Sequence, residues 1–166
     1  MDDLHAWQQA VGLSDTLYWS LSLDSRGRLD VLIARMMYIK EQLLFLVEKA
    51  GSEDLCRICG GACCRHGKYH FTQLDLLAYR HEEVAPVIPD FSKDSACPYG
   101  GLSGCTLAPR FRPMTCVIFN CEQIEDRLDR GEREQLLACE QELRSVIACA
   151  GQVSGGRLSR PLLLVC

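Results

Sequence analysis

Leu29-Asp30-Val31-Leu32-Ile33-Ala34-Arg35-Met36-Met37-Tyr38-Ile39-Lys40-Glu41-Gln42-Leu43-Leu44-Phe45-Leu46-Val47-Glu48-Lys49 carries the strongest periodic signal in the chain. Leu29, Leu32, Ile33, Met36, Met37, Leu43, Leu44 and Val47 recur at helical spacing, and Gly51 supplies a stop. The spacing predicts a six-turn amphipathic helix within 28–50. A Met and Leu stripe of this kind is what a packed helix buries, so it reads as core rather than as a cofactor groove. A second periodic segment follows at 121–150, with Ile124, Leu128, Leu136, Leu137, Leu143, Val146 and Ile147 apolar, Gly151 as terminator, and Gly131 placed to bend or split it.

Around these two helices the pattern is weaker. Scattered apolar residues over 3–23 suggest one or two short helical turns broken near Gly12. Thr72-Gln73-Leu74-Asp75 opens a short helix through about Arg80 as a capping box, and Pro86 and Pro89 close that option. Residues 84–116 read as loop, with Gly100, Gly101, Gly104, Pro98, Pro109 and Pro113 making turns. So long a structureless stretch inside a compact domain needs something to organise it. After Gly155-Gly156, Leu162-Leu163-Leu164-Val165 fits a short strand or an extended segment laid on the core. The expected fold is mainly α: a single domain over 1–166, with two long helices holding a Cys-rich, loop-rich insertion.

With 166 residues, 48% apolar and 24% charged, the chain suits a soluble globular domain. Its longest apolar runs, such as Leu43–Val47, are far too short to span a bilayer. The start Met1-Asp2-Asp3-Leu4-His5 lacks the pattern of a signal peptide, so the expectation is a cytoplasmic, reducing environment. A formal net charge of -4 argues against nucleic acid as a partner. Residues 56–121 nonetheless carry a local excess of two positive charges between acidic flanks. Four thiolates around a divalent cation leave about two negative charges, which such an excess would offset.

The chain holds 11 cysteines, an odd number that cannot be fully paired within one molecule. Cys56, Cys59, Cys63, Cys64, Cys97, Cys105, Cys116 and Cys121 all lie in the central segment, and these are the candidate metal ligands. Cys56-x2-Cys59 brings two sulfurs to one ion from a tight turn, with Gly60-Gly61 giving the backbone freedom that such a knuckle needs. Adjacent Cys63 and Cys64 point apart, so they serve separate sites or only one of them binds. Eight sulfurs would fill two tetrahedral sites, or one cluster with several to spare. Soft thiolates suit zinc first, with iron or an Fe–S cluster close behind.

Other readings stay open. Cys-x2-Cys also suits thiol-disulfide exchange, although no βαβ pattern precedes it and six further cysteines exceed that need. His66 and His70 could replace a sulfur in a mixed site, but a solvent-facing or hydrogen-bonded His is the commoner role. Arg57, Arg65, Lys68, Arg110 and Arg112 are candidates to bond the sulfurs from outside. Cys139 and Cys149 read as small core residues, and Cys166 as an uncommitted terminal thiol.

The ordered set Cys56-Arg57-Ile58-Cys59-Gly60-Gly61-Ala62-Cys63-Cys64, Thr72-x-x-Asp75-x-Leu77, Cys97-Pro98, Cys105, Arg112-Pro113-Met114-Thr115-Cys116 and Cys121 resembles the YkgJ-type CxxCxxCC proteins described as zinc- or iron-chelating. Three residues rather than two separate Cys59 from Cys63, so the ligand role falls on either Cys63 or Cys64. The resemblance covers about 56–121 and implies metal chelation by these cysteines. A similar cluster in flagellin lysine methylases makes a metal-dependent enzyme or an accessory to protein modification the alternative, although no motif here supports methyl transfer. No protein partner or substrate can be named from these residues.

Overall fold

The computed structural model describes residues 2–92, 97–101, 104–156 and 158–163, with the backbone alone at Cys63. The chain is mainly α, with a single two-stranded ribbon among the described residues.

The first helix, α1 (Asp3–Ser20), is continuous, contrary to the expected break at Gly12. Trp7, Ala10, Ser14 and Tyr18 form its buried face, a periodicity that a purely apolar count misses because it includes a serine. Gly12 lies on the exposed face, where glycine costs only about 1 kcal/mol relative to alanine. The long helix α2 (Leu23–Lys49) contains the predicted span and starts six residues earlier than Leu29. Ser22 caps it by accepting from the Ser25 N–H at 3.1 Å, and the polar turn that follows gave no apolar signal.

The predicted 121–150 helix is two helices, α6 (Glu122–Glu125) and α7 (Arg130–Val153). The break falls before Gly131. Asp129 and Glu132 form a reciprocal capping box, with Glu132 N–H donating to Asp129 Oδ1 at 2.8 Å and Asp129 N–H to Glu132 Oε2 at 3.0 Å. Helices α2 and α7 pack along their lengths and supply most of the main core, including Leu29, Ile33, Leu43 and Leu143, all at most 1% exposed. Arg35 with Glu142 and Lys49 with Glu132 tie the rims of this contact.

Between the two long helices lie α3 (Ser52–Ile58), a 3-10 helix (Ala62–Tyr69), α4 (Gln73–His81), strands β1 (Gly100–Gly101) and β2 (Gly104–Cys105), a 3-10 turn (Pro109–Phe111) and α5 (Met114–Ile118). Among the described residues the 84–116 stretch is therefore loop with two short strands, a 3-10 turn and the start of α5 rather than loop throughout. Helix α4 has the predicted capping box at Thr72 and packs against both α1 and α2. A second core forms here. Phe71, Tyr79, Tyr99 and Phe111 stack in series, the closest rings 4.0 Å apart, with Trp7, Leu107 and Leu162 around them.

The tail follows turns with one isolated bridge, Thr72 to Pro161, and joins both cores: Leu74 N–H donates to Leu158 O at 2.9 Å, and Leu162 N–H to Phe71 O at 2.8 Å. The part of the expected strand beyond Leu163, and Cys166, lie outside the described residues.

One polar contact runs through the interior. Lys40, fully buried on α2, donates to Asp75 Oδ1 of α4 at 2.7 Å. Asp75 Oδ2 accepts from the Thr72 N–H at 3.0 Å and from its hydroxyl at 2.7 Å, so both carboxylate oxygens are engaged. Removing one partner of such a pair strands a buried charge at a cost of about 3–5 kcal/mol. Lys40→Met should lower unfolding stability by about that much in urea titrations. Lys49→Met, in the exposed pair with Glu132, should move the midpoint little; equal shifts in the two variants would disprove the assignment.

Candidate metal centre

Cys56 lies in α3 and Cys59 caps its C-terminal end, with Cys59 Sγ 3.5 Å from Cys56 O. Gly60 and Gly61 then take left-handed φ of 62° and 69°, the turn the knuckle reading requires, and lead into the 3-10 helix that carries Cys64. Cys63 lies in the same helix, but its side chain is outside the described residues. Cys97 follows the gap in the described chain, Cys105 is on β2, and Cys116 is in α5. Strand β2 packs against α3 and so brings Cys105 to the helix that holds Cys56.

Four of these cysteines share one region with a histidine. Burial pushes the Cys116 thiol well above its ordinary value, and the charges of Cys97, Cys105 and Cys64, then Asp75, push it further. His70 Nδ1 lies 3.2 Å from Cys116 Sγ. Burial lowers the His70 imidazole, as does the neighbouring His66. The two shifts favour the neutral forms of both side chains.

Gly67, a residue the sequence reading passed over, makes room for the group. A Cβ built there would lie 2.5 Å from Cys97 Sγ and 3.1 Å from Cys97 Cβ. A glycine inside a Cys/His-rich run was the signal available. Soft sulfurs and an imidazole are donor types that a zinc-class ion takes. Among the described residues no group of three or more His, Cys, Asp or Glu side chains is placed to hold a metal ion.

The remaining candidates are placed elsewhere. Cys121 caps α6 and packs with the main core, as Cys139 does. Cys149 is exposed, which corrects its reading as a core residue. Of the five basic candidates Arg65 is exposed, and the other four are spent differently from expectation. Arg57 pairs with Asp54, Lys68 with Asp3, and Arg110 with Glu41 and Glu82, while Arg112 donates to Leu107 O at 3.0 Å. Carboxylates and a carbonyl satisfied them before sulfur did.

Among the described residues no helix is long and apolar enough to cross a membrane. Comparison of the chain with protein-family models, curated proteins and solved structures gave no match.

Limited alkylation of reduced, metal-free protein, read by peptide mass spectrometry, tests this arrangement. Exposed Cys59, Cys64, Cys105 and Cys149 should label first at neutral pH and Cys116 last. Because burial and neighbouring sulfurs raise the Cys116 thiol, its thiolate fraction is small at neutral pH and its labelling should climb as pH rises. Early labelling of Cys116 at neutral pH would contradict the placement.

Proposed function

We propose that this chain is a metal-chelating protein that holds zinc, or failing that iron or an Fe–S cluster, through thiolates of its central segment, as its resemblance to the YkgJ-type proteins implies. One observation carries the reading. Cys64, Cys97 and Cys105 come from three separate stretches of chain, yet each lies within electrostatic reach of Cys116, which stands beside His70. Cysteines kept only as small apolar residues would have no reason to gather from 53 positions of chain into one polar neighbourhood.

Chelation here is structural. The donors lie on short elements and loops, so the free energy of binding becomes free energy of folding for that segment. Supplying soft sulfur donors and a fixed coordination frame is the chemistry these residues offer an ion.

Anaerobic purification with elemental analysis and a visible spectrum tests the proposal. Colourless protein with stoichiometric zinc, or brown protein with iron and acid-labile sulfide, is the expected result. Cys97→Ser combined with Cys116→Ser should abolish retention, whereas Cys139→Ser should leave it unchanged. Chelator should lower Tm by about 10 °C or more, since each kcal/mol of linkage moves a chain of this size by about 2–4 °C. Metal-free protein with an unchanged melt, or disulfides among the four cysteines in never-oxidised material, would refute it.

A further inference from the structure

We propose that His70 Nδ1 and Cys116 Sγ bind the same cation, making the centre a mixed nitrogen–sulfur site rather than an all-thiolate one. This deepens the chelation reading and rests on it. In a tetrahedral zinc site with Zn–N of about 2.0 Å and Zn–S of about 2.3 Å, the nitrogen and sulfur stand about 3.5 Å apart. The observed 3.2 Å is close to that edge. The two residues are 46 positions apart in sequence, so the approach is a product of the fold and not of a local turn.

Both side chains are held from behind. His70 ends the 3-10 helix, with its N–H donating to Gly67 O at 3.2 Å. Phe71, next in sequence, is 3% exposed in the aromatic core, and Thr72 is fastened to Asp75 and through it to Lys40. Cys116 N–H donates to Pro113 O at 3.0 Å, and the adjacent Val117 is 1% exposed.

A hydrogen bond alone is the plainer role for this imidazole. A thiol, however, is a weak donor and a weak acceptor, and among the described residues it is the one side-chain partner given to the half-buried ring. A cation would satisfy both groups at once.

One imidazole in place of a thiolate leaves a divalent centre with about one negative charge rather than two. On binding, Cys116 gives its thiol proton to solvent, and the neutral imidazole ligates through Nδ1 with its ring proton on Nε2. Cys97, Cys105 and Cys64 are the sulfurs that act on Cys116 electrostatically and the candidates for the other positions.

X-ray absorption of zinc-loaded full-length protein is the direct test, alongside cobalt titration of the wild type, His70→Ala and His70→Cys. A shell containing nitrogen at about 2.0 Å beside sulfur at about 2.3 Å is expected. His70→Ala should weaken cobalt binding by at least about 100-fold, the upper end of what even outer-sphere partners contribute. His70→Cys should bind within about tenfold of the wild type while its sulfur-to-cobalt absorption intensifies. A sulfur-only shell, with His70→Ala binding as tightly as the wild type, would overturn the His70 assignment and leave chelation standing. Failure of the wild type to bind zinc or cobalt would overturn both. Should His70→Ala lose its helical circular dichroism, the absorption shell of the wild type decides alone.

Discussion

The buried contact between Lys40 and Asp75 joins the two halves of this molecule. Lys40 belongs to the long α2 helix and Asp75 to the first turn of α4, and neither can be left charged in the interior without the other. Because Asp75 also accepts twice from Thr72, the contact fixes the residues just before it, Phe71 and His70. The ring of Phe71 enters the aromatic stack while the His70 ring turns to Cys116. The register of the cysteine-bearing segment is thus set from the helical bundle through one carboxylate. A buried ion pair is a poor source of net stability, but it specifies an arrangement strongly because every misregistered alternative strands a charge.

The helices were legible where burial and apolarity coincide. Leu29 to Val47 announced α2 because its buried positions are almost all Leu, Ile, Met or Val, and Thr72 with Asp75 announced the start of α4. Lys40 was invisible for the same reason: a lysine on the buried stripe reads as an irregularity until its partner 35 residues away is seen. α1 was misread as broken because Ser14 and Tyr18 complete its buried face, and Ser14 is satisfied locally by donating to Ala10 O at 3.1 Å. The split between α6 and α7 was written in Asp129 and Glu132, a signature of the kind recognised at Thr72 and passed over here.

The candidate centre was legible in kind and less so in membership. Clustering of eight cysteines in 56–121 pointed to the segment, and the Gly60-Gly61 turn was foreseen from the motif. Which cysteines stand together is a tertiary property. Cys116 and Cys121 are five residues apart, yet α5 sends one toward His70 and leaves the other against the main core. The roles of Gly67 and His70 depend on Cys97 and Cys116, 30 and 46 residues further on, which no local spacing encodes.

A bound ion would matter most in this segment. Between Glu82 and Gly100 the described backbone hydrogen bonds include Val84 N–H to Tyr79 O and Asp90 N–H to Pro98 O. Ordering backbone costs about 1–2 kcal/mol per residue, and burial of Tyr99 and Leu107 offsets only part of it. A structural zinc contributes about 10–16 kcal/mol, enough to order roughly ten residues. The helical bundle needs no such help, since α2 and α7 bury a continuous core against each other. Coordination would therefore act on the middle of the chain alone: removing the ion should loosen the loops that carry Cys97 and Cys105 while α2, α7 and the Lys40–Asp75 contact persist.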